Sequence, residues 1–274
     1  MRPADLSKCA IHTMTNKPWT LAQCCDKYSA AGVGGISVWR NVIEPIGIAE
    51  AARIVRGCGL KVPALVRGGF FPALSAEVRD KALYDNKVCI DEAAAIGAEM
   101  VVLVVGAIVG MPLDEARKQV ADGIAKCLAH AEQNNVKLAI EPLHPMYAAD
   151  RSCINRMKEA RLVCEQLQSK WLGIACDVYH VWWDPDLQHE IALAGQQGTL
   201  FGFHVCDWRP NTRDLLNDRG VMGEGAIDLK TIRSWVEATG FNGFNEVEIF
   251  STEQWATDQD DYLRRVVEAY QQNV

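Results

Sequence analysis

Short, β-rich apolar runs recur along the chain at residues 8–12, 35–38, 61–66, 100–105, 137–140, 172–175, 200–205 and 244–249. Between them the apolar positions switch to a helical period. In 113–133, for example, Ala116, Val120, Ile124, Cys127 and Ala131 fall three or four residues apart and share one face. Strands that alternate with helices pair in parallel, because each helix returns the chain to the end where the next strand begins. Gly32, Gly59, Gly97 and Gly240 each close a helical segment ahead of a strand, where a left-handed helix terminus favours glycine.

Eight such units in 274 residues predict an α/β chain folded as a single (β/α)8 TIM barrel, one domain over 1–274. The competing architecture is an open doubly wound sheet. Its phosphate-binding turn is missing, since the first strand runs into Thr13-Met14-Thr15-Asn16-Lys17-Pro18 instead of a glycine-rich loop. The one long irregular stretch, 206–226, follows the seventh strand, where barrel enzymes carry functional loops.

Composition narrows the partners. An apolar content of 49% is ample for a barrel core. A net charge of −7 without any block of Lys or Arg gives no footprint for nucleic acid, which leaves a small molecule as the expected partner. The longest strongly apolar stretch, 100–111, is too short to span a bilayer. The opening Met1-Arg2-Pro3-Ala4-Asp5 lacks a signal-peptide core, so a cytoplasmic protein with no membrane partner is expected. Of the ten cysteines, Cys58, Cys89, Cys127 and Cys164 fall in helical patterns among apolar residues, which predicts reduced, mostly buried thiols. Cys24-Cys25 makes a poor zinc site, because adjacent helical side chains diverge.

Four residues carry the chemistry. Glu141, Asp177, His204 and Glu248 each stand where an apolar run ends, at steps of 36, 27 and 44 residues, about one strand plus one helix apart. Four successive units would deliver three carboxylates and an imidazole to one rim of a barrel, a donor set for a single divalent cation. Mn²⁺ fits best, with Mg²⁺, Co²⁺ and Zn²⁺ compatible. Such an ion polarises a carbonyl while a carboxylate moves the proton, with Glu141 and Glu248 as the catalytic acid/base pair. Glu246 shares a strand face with Glu248, and either could reach inward. Glu248 is preferred as the ligand, with Glu246 one layer deeper.

Other rim residues are candidates for substrate. Trp39 and Arg40 end the second strand and Arg67 follows the third, where a guanidinium could hold a carboxylate or phosphate, or else pair with an acid such as Glu44. Trp19, Trp39, Trp182, Trp183 and Trp208 lie in or beside rim loops and suit either the apolar faces of a sugar or the core. His12 ends the first strand, and His144 and Tyr147 follow the Glu141 strand, where each could reach substrate or only anchor its loop.

The segments Glu141-Pro142, Asp177-Val178-Tyr179-His180, Phe203-His204-Val205 and Glu248-Ile249-Phe250 resemble the xylose isomerase-like barrel family of sugar isomerases and epimerases, over nearly the whole length. The resemblance implies one divalent ion on Glu141, Asp177, His204 and Glu248, and a substrate-binding His180 in the D-x-x-H step. It also implies that Arg219, ahead of the glycine-rich turn 220–225, holds substrate oxygens. Met222 departs from the proline usual in that turn.

The expected activity is therefore a metal-dependent isomerase or epimerase of a keto sugar or polyol-derived ketone, acting by proton abstraction next to a metal-bound carbonyl. The rival is a dehydratase (a lyase) of an inosose- or dehydroshikimate-like keto-polyol, in which the same enolate expels a β-hydroxyl. An abasic-site endonuclease of this barrel type would need more histidines and a less acidic surface, and a non-catalytic binder would hold no ion. Barrels of this kind often pair, so a homo-oligomer is expected, with the aromatic tail 250–255 as a candidate surface.

Overall fold

Alternation along each strand decides which side chains meet the helices and which fill the barrel. In the computed structural model, which describes residues 4–274, the sheet closes as eight parallel strands in chain order. Met1, Arg2 and Pro3, part of the stretch read for a signal peptide, lie outside the described residues. The strands are β1 (Cys9–His12), β2 (Gly35–Trp39), β3 (Ala64–Gly69), β4 (Met100–Val104), β5 (Lys137–Ile140), β6 (Leu172–Asp177), β7 (Leu200–Val205) and β8 (Asn245–Val247).

Helices α1 (Leu21–Ala30), α2 (Ile48–Cys58), α3 (Ala76–Ile96), α4 (Leu113–Gln133) and α5 (Met157–Leu167) connect the first six strands. A short α6 (Val178–Val181) and α7 (Leu187–Gln196) lead to β7, and α8 (Leu229–Ala238) leads to β8. Past β8 come α9 (Thr252–Trp255) and α10 (Gln259–Asn273). No helix among the described residues is long and apolar enough to cross a membrane.

One set of alternate strand residues, including Ile11, Ile36, Leu65, Leu103, Leu138, Ile174, Phe203 and Val247, packs with the inner faces of the helices in one large core. Each such Leu, Ile or Phe contributes roughly 1.5–3 kcal/mol by leaving water. The expected face of α4 is buried throughout. The other alternate set lines the narrow interior, where Ala64, Val66, Met100, Val102, Ala139 and Ala175 form a separate small cluster. Above these small residues the inward positions turn polar, with His12, Ser37, Glu141, Asp177, His204, Glu246 and Glu248 all buried. The change from small and apolar to large and ionisable along one strand face sets the site at the carboxyl end of the barrel.

Helix ends follow the glycine signals, with Gly59 and Gly97 as left-handed caps of α2 and α3. All ten cysteines are unpaired and nine are buried, in line with the reduced state expected. Two local expectations need correction. β3 begins at Ala64 and reaches Gly69, so Arg67 lies within the strand, at a register shift between Val66 and Gly68, and not in the loop after it. Arg40 pairs with Asp85 and Glu92 of α3, not with Glu44. In the aromatic tail, half-buried Phe250 packs edge-on against Trp39, ring centroids 5.3 Å apart, and the Trp255 indole N–H donates to the Met14 carbonyl.

Candidate metal centre

Strand register brings the four residues to one place. Asp177 pairs with His204 across β6 and β7, and His204 with Glu246 across β7 and β8. Glu141 and Glu248 each stand one residue beyond a strand, their backbone N–H groups donating to the Leu103 and Val205 carbonyls. Asp177 also caps α6, its Oδ1 accepting from the Tyr179 N–H at 2.9 Å. One donor atom from each of Glu141, Asp177, His204 and Glu248 lies within 4.8 Å of all the others.

Their alignment suits a shared cation. His204 Nδ1 and Glu141 Oε1 approach to 3.0 Å, yet both are buried without a hydrogen-bond partner, as two donors converging on an ion would be. Three carboxylates and one imidazole form a hard, oxygen-rich set able to take a divalent ion. A second group, His12, His204 and Glu246, shares His204. There Glu246 accepts from Ser37 Oγ at 2.5 Å and faces His12 Nε2 at 3.4 Å, while His204 Nε2 lies 3.9 Å away. Glu246 thus backs the imidazole whose other nitrogen faces the quartet.

Charge shapes every group here. Burial works against a charged His204, but the Glu141 carboxylate beside it and the charges of Glu246 and Glu248 prevail and raise its pKa to about 10. Burial raises Asp177 to about 7, with Arg219 opposing and Glu248 and Glu141 reinforcing the shift. For Glu248, burial is outweighed by the charges of His12 and Arg219, which hold it well below the ordinary carboxylate range. His12 Nδ1 lies 3.1 Å from both Glu248 Oε1 and the Trp39 indole nitrogen. Because the indole only donates, both contacts cannot be hydrogen bonds at once. The Glu248 and Glu246 charges, which raise the His12 pKa against burial, decide in favour of an Nδ1–H donated to Glu248.

Arg219 is itself buried. Its Nη1 lies 2.9 Å from both Asp177 Oδ2 and Glu248 Oε2, and its guanidinium stacks 4.4 Å from the Tyr179 ring centroid. Nη2 lies 3.3 Å from His180 Nε2. Burial and the Arg219 charge hold His180 well below its ordinary pKa, so it is neutral, and the 3.5 Å approach of Asp177 is not an ion pair. Since Arg219 can only donate, Nε2 accepts and the ring proton sits on Nδ1, which is buried without a partner.

Among the other candidates, Trp39 and Arg67 line a cavity of about 380 Å³ together with Gly69 and Phe70. His144 lies between the rings of Trp183 and Trp208, at 5.7 and 5.2 Å, and Trp208 stacks on Tyr179 at 4.7 Å. Trp19 instead packs toward Tyr28 and the core. Sequence reasoning missed Asp207 and Arg151. Asp207 accepts from the backbone N–H groups of Trp208, Gly223, Gly225 and Ile227 and so fixes the loop that carries Arg219. Two donors from the glycine-rich turn, with Trp208 and Ile227 beside them, on one acid were unreadable without the fold.

Comparison with known proteins bears on this geometry. Residues 25–269 match the family model described as xylose isomerase-like TIM barrel. No protein with a curated description matches. Among solved structures, protein SMc04130 from Sinorhizobium meliloti 1021 is 47% identical, with a TM-score of 0.94, covering 97% of this chain and 98% of that one. The IolI protein, solved with a bound zinc atom, is 19% identical at a TM-score of 0.83, covering 96% of each chain. The 3-keto-D-glucoside 4-epimerase YcjR from E. coli is 18% identical at a TM-score of 0.78, covering 96% and 98%. At those two identities the likeness speaks for the fold alone.

Proposed function

The chain belongs to the xylose isomerase-like TIM barrel family, and on that premise we propose that it is a divalent-metal-dependent isomerase or epimerase of a keto sugar or polyol-derived ketone. The observation that carries this reading is the convergence of Glu141, Asp177, His204 and Glu248 within 4.8 Å. These four would hold the ion, Mn²⁺ foremost. When bound, the ion supplies Lewis-acid polarisation of a carbonyl and lowers the cost of negative charge on its oxygen.

The chain's own residues do the rest. Glu141 and Glu248, one residue past the ends of β5 and β8, both face the site, so one carboxylate removes the proton on the carbon beside the carbonyl and the other returns it. Neutral His180 offers its free Nδ1–H to a substrate hydroxyl. Arg219 balances Asp177 and Glu248 and lies within reach of substrate oxygens. Trp39, Trp183 and Trp208 present flat apolar walls, and Arg67 stands at the rim.

The test is turnover of ketoses and keto-polyols by Mn²⁺-loaded protein in D₂O. Deuterium at the carbon beside the carbonyl in an isomerised product supports the proposal. A rising unsaturated-ketone absorbance replaces it with the dehydratase. Glu248→Gln is expected to lose both the ion and turnover, by metal analysis and assay, and purified protein that takes up no divalent ion overturns the reading.

A further inference from the structure

Arg67 and Arg151 stand at the rim on the Glu141 side with no acidic partner among the described residues. Arg67 touches the face of Phe70, 4.3 Å from the ring centroid, and Arg151 that of Tyr147 at 5.5 Å. Their neighbours differ. Arg40 is saturated, with Nε 2.7 Å from Glu92 and its Nη atoms 3.0 and 3.1 Å from Asp85. Arg156 and Arg161 likewise hold carboxylates at 2.6 Å.

The backbone is committed to presenting these two cations. The register shift between Val66 and Gly68 makes Arg67 the extra residue of a bulge, a device that re-aims a side chain. Buried Asn86 clamps the strand end, its Oδ1 accepting from the Gly69 N–H at 2.7 Å and its Nδ2 donating to the Gly69 carbonyl at 2.8 Å. Arg151 is held at its backbone, its carbonyl accepting from Gly106 and its N–H donating to Tyr147. Burial and then the charge of Arg151 push the Arg67 pKa down, with Glu141 opposing. Gly106, whose N–H holds the Arg151 carbonyl, packs directly against the backbone of Phe70, on whose ring Arg67 lies. The two half-buried cations thus come from adjacent segments with no acid in ion-pair contact, and an anionic ligand would relieve their repulsion.

We propose that Arg67 and Arg151 form an anion subsite that takes the carboxylate or phosphate end of a ketose acid or ketose phosphate, its carbonyl end directed to the quartet. This rests on the function proposed above and narrows its substrate to anionic sugars. A guanidinium fork suits either group bidentately, and Arg67 shares a cavity at the rim with Trp39.

Three probes that share a C2 ketone test it by calorimetry: D-fructuronate, D-fructose 6-phosphate and neutral D-fructose. Titrations use full-length protein, both metal-free and Mn²⁺-loaded. At least one anion is expected to bind roughly tenfold or more tightly than D-fructose, and which one identifies carboxylate or phosphate. Arg67→Gln and Arg151→Gln should each erase roughly ten- to hundredfold of that preference, and Arg151→Lys should keep part of it. In wild-type protein the preference should shrink as salt rises, a readout that needs no variant to fold. Equal binding of all three probes, or a preference that survives both Gln variants, overturns the subsite. Because the preference is read without metal or turnover, its fate is separable from that of the proposed reaction.

Discussion

Glu246 and Glu248 lie two positions apart and face the same interior, yet they meet different neighbours. Glu248 is among the three carboxylates of the quartet, whereas Glu246 sits between Ser37, His12 and the far nitrogen of His204. A carboxylate behind a ligating imidazole orients it, and its loss typically costs 10–100-fold in metal affinity. Glu246→Gln should therefore weaken Mn²⁺ by about that factor, measured by competition with a chelating dye, while Glu248→Gln abolishes uptake. Equal loss in both variants, or none in Glu246→Gln, would show that Glu246 has another role. The period of two in the sequence revealed that both glutamates face inward. The place of Glu248 nearer the strand's carboxyl end favoured it as the ligand and put Glu246 one layer deeper, but the partners each one meets depend on the register of β8 with β1 and β7. His12 stayed ambiguous for the same reason, since its partner Glu248 arrives from the far end of the chain.

Among the elements, the strands and the face of α4 were legible because each obeys one period, while the loop 206–226 obeys none. Its order comes from hydrogen bonds that no pattern encodes. Tyr147 and Tyr179 both donate their hydroxyls to the Leu215 carbonyl, at 2.7 and 2.9 Å. Asp218 accepts from Arg213 at its backbone N–H, Nε and Nη2, and from Arg209 Nη1. The Arg213 hydrogen bond is the main cause that holds the Asp218 carboxyl below its ordinary pKa. Since the folded value is the lower one, the clasp is fully present above the ordinary Asp value of about 3.9 and is lost as pH falls through the folded value. Arg213 is largely exposed and screened by water, so the energy at stake is small and the effect is local. Protease cleavage within 209–217, with a change in Trp208 fluorescence, should rise as pH drops below about 4. In Asp218→Asn it should be raised already at neutral pH, and a pH-independent wild-type cleavage rate would refute the clasp.

At the scale of the whole molecule, the barrel buries Glu141, Asp177, Glu246 and Glu248 in one mouth. Arg219, His12 and His204 offset part of that charge, and the remainder is a standing cost of the metal-free fold. An ion on the quartet would tie β5, β6, β7 and β8 together, and through the Glu248–His12 contact it would also reach β1, where the barrel closes. Binding to so many strands cannot be released by fraying one loop, so it should appear in global unfolding. A ligand at a hundred times its dissociation constant adds about 2.7 kcal/mol, and in a chain of this size each kcal/mol moves Tm by roughly 2–4 °C. Protein stripped with a chelator and then loaded with Mn²⁺ should thus melt some 5–10 °C higher in a thermal scan. The same addition should leave Glu248→Gln almost unmoved. A full shift in that variant would place the ion elsewhere on the protein, and no shift in the wild type would remove the quartet from consideration as a metal centre.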